Sequence, residues 1–381
     1  MPDFIGVGNG LINIVLLVLI LVPLVVIHEF GHFIVARRAG VTVHEFGIGF
    51  PPRAKTLGTD SKGTTYTLNW LPLGGFVRLE GEDGESVDKN AFVNQRLPTR
   101  LAILLAGVTM NLLLAFVILT GIALFADPAV DVQLTCVQPD GPAALAGLKS
   151  GIQTGTITGS DGRQYSVCDP SGESITAIDG QRFLAFSEPS SVDAIGYLRA
   201  HAGQTVTLSV RGSDGIVRDV SVSLRPPAEA ADKGALGITG YDISYSTEPH
   251  DALTAVALGA RRTVDAATLV LHGLGDFINN LGSPPISGPV GIANTIGIVR
   301  TALPPVFLIW LVAVLSANLA VVNVLPFPPL DGGKVATSLI QAVVGDRANR
   351  LIERVVYAGL LLMLFLIVWV TLFDVGILQR T

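Results

Sequence analysis

Residues 11–35 read LINIVLLVLILVPLVVIHEFGHFIV. At a rise of about 1.5 Å per residue, a helix of this length spans a hydrocarbon core of about 30 Å. Only His28, Glu29 and His32 can carry charge within it. The stretch therefore predicts a membrane-spanning helix whose ionisable residues cluster near one end as His-Glu-x-x-His.

Working outward, three further segments have the same character, at about Leu101–Phe125, Val306–Leu325 and Val355–Phe373. Of the 381 residues, 49% are hydrophobic and 15% charged, against roughly a quarter charged in soluble domains. The expected class is a polytopic α-helical membrane protein with about four transmembrane helices. A net charge of −6 and the lack of a basic stripe exclude nucleic acid as a partner. The first span has no basic residue before it and no small-residue cleavage site after it, so it reads as a retained helix rather than a leader.

Basic residues in short connections orient the spans. Arg37, Arg38, Arg53, Lys55, Lys62, Arg78, Lys89, Arg96 and Arg100 follow the first span, and Lys334, Arg347, Arg350 and Arg354 follow the third. Both connections are expected on the cytoplasmic side of the cell membrane, with both termini and the long Ala126–Leu303 stretch outside. Val41–Leu79 reads as a small β element on the cytoplasmic side, through Thr64–Trp70 and Pro72–Val77. Gly81–Asn90 is acidic and Gly-rich, and reads as a mobile loop. Outside, strands are expected at Val132–Val137, Ser174–Ile178, Thr205–Val210 and Val217–Leu224, with a helix at Val192–Ala200. A polar insertion follows Gly151, with a hairpin turn at Asp161-Gly162. Asp251–Asn280 reads as an amphipathic helix against the membrane surface.

The chemistry lies in His28-Glu29-Phe30-Gly31-His32. Residues four apart share a helix face, so both imidazoles can reach one Zn²⁺, with Glu29 beside a zinc-bound water as its general base. An ionisable residue at a helix centre in the bilayer costs roughly 2.5–3.5 kcal/mol, which makes such residues functional candidates. Two histidines leave a tetrahedral site one protein ligand short. His44, His201, His250 and His272 are poor candidates, since three fall in the outer region and His44 in the β element. Asp331, in Pro326-Phe327-Pro328-Pro329-Leu330-Asp331-Gly332-Gly333, follows a broken helix end and is the better one. On the residues alone, that run is equally an ordinary turn.

These residues resemble the site-2 protease family, in its bacterial regulated-proteolysis branch. The resemblance rests on His28-Glu29-x-x-His32 and on Asn323-x-x-Pro326-x-Pro328-x-Leu330-Asp331-Gly332. Pro72-x-Gly74-Gly75-Phe76-Val77, Ala106-Gly107-x-x-x-Asn111, Ser287-Gly288-Pro289-Val290-Gly291 and Ser316-x-Asn318-Leu319 also match. It implies Asp331 as third zinc ligand and an intramembrane metalloendopeptidase that cuts transmembrane segments of single-span proteins. Anti-sigma factors and remnant signal peptides are the substrates that the family suggests. Substrate contacts are expected from Tyr66, Leu68, Gly74 and Gly75 of the β element, by strand addition, and from Asn323. Asn323 is also explained as a polar residue closing backbone bonds at a broken helix. Asn111 and Asn318 read as helix–helix contacts.

Gly141-Pro142-Ala143-Ala144-Leu145-Ala146-Gly147-Leu148 and Gly172–Gly180 resemble parts of a bacterial protease PDZ domain, which implies a peptide or protein ligand. The insertion 152–171 between them departs from the family. It reshapes the peptide groove, covers it, or is an inert hairpin. Cys136 and Cys168 either form a disulfide pinning it down or remain unpaired and buried. The expected division is 1–38 first span, 39–100 β element and loop, and 101–126 second span. Then come 127–228 PDZ-like domain, 229–302 linker and amphipathic helices, 303–333 third span, and 334–381 loop, fourth span and tail.

Overall fold

In lipid a backbone must satisfy its own hydrogen bonds, so long apolar runs become helices. In the computed structural model, which describes residues 7–82, 86–158, 164–186, 194–279, 287–345 and 349–377, the first such run is α1 (Val7–Arg38). A hairpin of β1 (Val43–Thr59) and β2 (Thr65–Leu79) leads through a 3₁₀ turn at Phe92–Asn94 to α2 (Leu97–Phe125). Then follow β3 (Pro128–Val137), α3 (Pro142–Leu145), β4 (Gln153–Thr158), β5 (Gln164–Cys168), β6 (Ser174–Ile178) and β7 (Phe183–Leu184). α4 (Ala194–Ala200), β8 (Thr205–Arg211), β9 (Val217–Ser223), α5 (Pro227–Lys233) and β10 (Ile238–Thr247) continue the chain. It closes with α6 (Ala252–Asn279), α7 (Pro289–Ala302), α8 (Pro305–Val324), α9 (Asp331–Val344) and α10 (Asn349–Asp374). Among the described residues, four helices are long and apolar enough to cross a membrane, and they are α1, α2, α8 and α10. Contacts divide the chain into one unit of residues 1–120 with 259–381 and another of residues 121–258.

The helical unit packs through small residues, as expected where lipid removes the hydrophobic advantage of large ones. Ala36, Ala115, Ala313, Ala317 and Ala320 are fully buried. A side chain on Gly31 of α1 would press on the Ala106 carbonyl of α2, so the two helices meet at backbone distance. α6 buries Ala266 with Ala115 of α2 and with Val314 and Ala317 of α8. α7 falls within the expected 229–302 region of amphipathic helices, whereas α9 stands where a loop is expected. α7 buries Ala293 and Ile296 against Leu17 and Leu24 of α1.

The hairpin of β1 and β2 is folded over on itself. Glu45–Ile48 pairs on one side with the Gly75–Arg78 run and on the other with Thr65–Leu68, which also pairs with Lys55–Thr59. The runs therefore lie in the order 75–79, 43–48, 65–69, 53–59. Arg37, at the end of α1, hydrogen-bonds to Asp60 and Tyr66 and ties this sheet to the helix. Desolvation pushes the Asp60 carboxyl up, but hydrogen bonds from Arg37, the Lys62 and Thr64 amides and the Tyr66 hydroxyl bring it down to about 2. In the acidic loop, Asn94 donates to the Ser86 and Asp88 carbonyls, while residues 83–85 lie outside the described residues.

The second unit is a sheet of order β10-β3-β6-β8-β9, with β7 pairing β3. The four expected outer strands are present as β3, β6, β8 and β9. Leu134, Ile178 and Leu208 are fully buried in its core. The insertion forms the separate hairpin β4–β5, and Cys136 is disulfide-bonded to Cys168, with Cα atoms 5.6 Å apart. The turn expected at Asp161-Gly162 lies outside the described residues, as do residues 192–193 of the expected helix.

Candidate metal centre and active site

The centre is built from the last turns of α1 and the first residue of α9. Helical spacing puts His28 and His32 on one face, and their Nε2 atoms lie 3.1 Å apart. Asp331 Oδ2 is 2.8 Å from His28 Nε2 and 3.1 Å from His32 Nε2. All three residues are buried. α8 ends at Val324, because Pro326 and Pro328 cannot continue its hydrogen bonds, and α9 starts at Asp331 itself. The carboxylate thus sits in the first turn of a helix, where the macrodipole favours negative charge. A Cβ on Gly333 would lie 2.5 Å from the Pro328 backbone nitrogen. Only glycine lets the chain double back this tightly to bring Asp331 to the histidines.

This donor set fits a divalent metal. Two imidazole nitrogens and a carboxylate oxygen converge where no protein cation separates them, and metal–ligand bonds of 2.0–2.2 Å correspond to tetrahedral ligand spacings of about 3.3 Å. Three protein ligands leave one position open, as catalytic zinc sites do. One ligand oxygen of Glu29 and the ligand nitrogens of His28 and His32 all lie within 4.8 Å of one another.

The site opens into a cavity of about 560 Å³, whose lining includes Glu29, Gly75, Asn323, Asp331 and Lys334. Lys334 is paired with Glu82 at 2.8 Å. A Cβ on Gly75 would lie 2.9 Å from the Gly47 carbonyl oxygen and 3.3 Å from Val26 Cγ2 of α1. Tyr66 and Leu68 do not reach the cavity. Each is paired on both sides, Tyr66 with Phe46 and Gly58 and Leu68 with Ile48 and Lys55, so their strand has no free edge and the expected strand addition there is corrected. The run 75–79 is at the margin of the sheet. His44 pairs with Glu80, His201 with Tyr197 and His250 with Asp127.

Sequence reading missed what α2 contributes. The Ile103 carbonyl lies 2.7 Å from His32 Nδ1, and the Asn111 amide lies 3.3 Å from His28 Nδ1. Between them, a Cβ on Gly107 would fall 2.5 Å from His32 Nε2 and 2.7 Å from His28 Nε2. The signal was present as a repeat of every fourth residue at 103, 107 and 111, but an apolar span carries many such repeats.

A profile of peptidase family M50 matches residues 16–367. A Clostridium perfringens protein whose name calls it a zinc metalloprotease is 32% identical, covering 92% of this chain and 95% of its own. The zinc metalloprotease RasP of Geobacillus kaustophilus is 26% identical, covering 94% and 97%. The Bacillus subtilis regulator of sigma-W protease RasP is 26% identical, covering 95% and 98%. With a family profile spanning nearly its whole length and relatives aligned end to end, the chain belongs to peptidase family M50.

Proposed function

We propose that this chain is an intramembrane zinc metalloprotease that hydrolyses peptide bonds in transmembrane segments of single-span membrane proteins. The observation that carries this reading is the convergence of His28 and His32, on a helix long and apolar enough to cross a membrane, with Asp331 at the start of α9, within 2.8–3.1 Å. His28, His32 and Asp331 would hold Zn²⁺, and zinc so held supplies Lewis acidity and an acidified water. Glu29 takes the proton as the water oxygen bonds to the scissile carbonyl carbon. It then delivers that proton to the amide nitrogen as the carbon–nitrogen bond breaks.

A helical peptide hides its carbonyls in its own hydrogen bonds, so the substrate must be unwound and held extended. The marginal run Gly75–Leu79 is suited to that, because added strands bind through backbone groups, and Gly75, next to Gly74, lines the cavity with Glu29. Asn323, also in the lining of the cavity, offers its amide to the substrate backbone. The basic connections favour a cytoplasmic-side active site, with termini and residues 127–228 outside the cell membrane. The sheet built on β3, β6, β8 and β9 supports a PDZ-like domain there, taking a peptide or protein ligand. Anti-sigma factors are the favoured substrate class, given the sigma-W regulation in the Bacillus subtilis relative's name. Remnant signal peptides are a second class with the same single-span form.

The test is Glu29→Gln in the purified full-length chain, assayed together for zinc content and for cleavage of a single-span substrate. Zinc is expected to stay and cleavage to vanish. Cleavage at the wild-type rate would overturn the assignment, and a chain that carries no zinc at all would overturn the metal centre.

A further inference from the structure

Each imidazole of the centre is held from behind by one stripe of α2. Ile103 and Asn111 lie eight residues apart on that stripe, with Gly107 between them, and contact His32 and His28 respectively. A histidine that ligates through Nε2 carries its proton on Nδ1, and that proton needs an acceptor. For His32 the acceptor is the Ile103 carbonyl, at 2.7 Å.

For His28 the facing group is the Asn111 side-chain amide, placed with Nδ2 3.3 Å from His28 Nδ1. Asn111 is fully buried, and its own backbone carbonyl accepts the Ser316 hydroxyl of α8 at 2.8 Å. In that placement Oδ1, a buried acceptor, has no hydrogen-bond partner among the described residues. His28 is therefore the one group that can choose which way the amide faces. Amide oxygen and nitrogen have nearly the same shape, so this choice follows from chemistry. Kept facing His28, Nδ2 would need a lone pair on Nδ1 and would put the ring proton on Nε2. That proton would point at Asp331 and His32 and block ligation. With Oδ1 facing the ring, the amide accepts Nδ1–H and leaves the Nε2 lone pair free.

We propose that Asn111 is a positioning residue: it accepts the Nδ1–H of His28 through Oδ1, so that both histidines are set by α2 as Nε2 ligands. This rests on the metal-centre reading above. It makes α2, which supplies no ligand, the element that selects the tautomer of both rings.

The experiment measures zinc affinity by chelator competition in the full-length chain in detergent, for wild type, Asn111→Asp, Asn111→Leu and His28→Ala. Aspartate keeps an acceptor at this position and has no donor, so Asn111→Asp is expected to hold zinc within a few-fold of wild type. Asn111→Leu keeps the volume without the acceptor and is expected to lose roughly 10–100-fold, the usual effect of removing an outer hydrogen-bond partner. If Asn111→Asp loses as much as Asn111→Leu, or Asn111→Leu binds like wild type, the proposal is overturned. Should Asn111→Leu fail to fold, Asn111→Asp alone decides: retained affinity supports the acceptor role and a loss beyond tenfold ends it. Equal zinc binding by wild type and His28→Ala would instead sink the metal centre itself, so the two failures are separable.

Discussion

His28 Nε2 and Asp331 Oδ2 lie 2.8 Å apart although 303 positions separate them in the chain. The bond joins the first spanning helix to the break after the third, so the site exists only when the helices are assembled. Its rigidity comes from backbone approaches that admit no side chain.

Gly107 is the most exposed of these to test. A Cβ would come within 2.5 Å of His32 Nε2 and 2.7 Å of His28 Nε2, and both rings are already held on their far sides. Gly107→Ala is expected to lower zinc affinity at least about 100-fold, equivalent to ~2.7 kcal/mol. Chelator competition checks it, with far-UV circular dichroism confirming that the helices persist.

Residues 128–247 begin and end as neighbours, since Pro128 pairs with Thr247. Replacing Ala129–Ser246 with a short Gly/Ser linker should therefore leave the helical unit intact. If this domain acts as a size filter, the shortened protein will cleave full-length single-span substrates as readily as pre-trimmed ones. Unchanged selectivity in a gel-based cleavage assay would count against a filter.

The hairpin β4–β5 pairs only with itself among the described strands, and β4 is exposed throughout. An isolated two-stranded hairpin is marginal in water. The Cys136–Cys168 bridge, closing a separation of 32 residues, contributes about 3–4 kcal/mol by loop closure. Reduction should raise hydrogen exchange and protease sensitivity in β4 and β5 while the β6–β8–β9 strands stay protected.

Glu173 gives the sheet of the second unit a pH dependence. Burial pushes its carboxyl up, but Arg218, bound through both nitrogens, and the Lys149 amide hold it below the usual glutamate range. A folded value below the unfolded one means that the stabilisation is complete above about pH 4.3 and is lost as pH falls through the folded value. Exchange protection of β6 should therefore fall with acidification more steeply in wild type than in Glu173→Gln.

Asp131 is almost fully buried and is met by Arg211 at 2.9 Å and Arg182 at 3.3 Å. Replacing both arginines with methionine leaves a buried carboxylate unpaired, at a cost of roughly 3–5 kcal/mol. The double variant should melt this sheet first in a thermal exchange experiment. Equal melting with wild type would mean that water reaches Asp131.

Some of this protein was decided by its sequence. Bilayer thickness and helical rise make the four spans legible as apolar runs, and the 3.6-residue period puts His28 and His32 on one face wherever the helix lies. The strands β3, β6, β8 and β9 were legible for a similar reason, since alternation is a local property. Other features were decided by tertiary structure alone. Asp331 reads as a turn residue until the prolines after α8 and the missing side chain of Gly333 bring it back to the histidines. Tyr66 and Leu68 read as a free strand until the hairpin folds over and pairs them on both sides. Asn111 reads as a helix contact until α2 is set against α1. In each case the deciding quantity is a distance between segments remote in sequence, which depends on how helices pack and which no local period encodes.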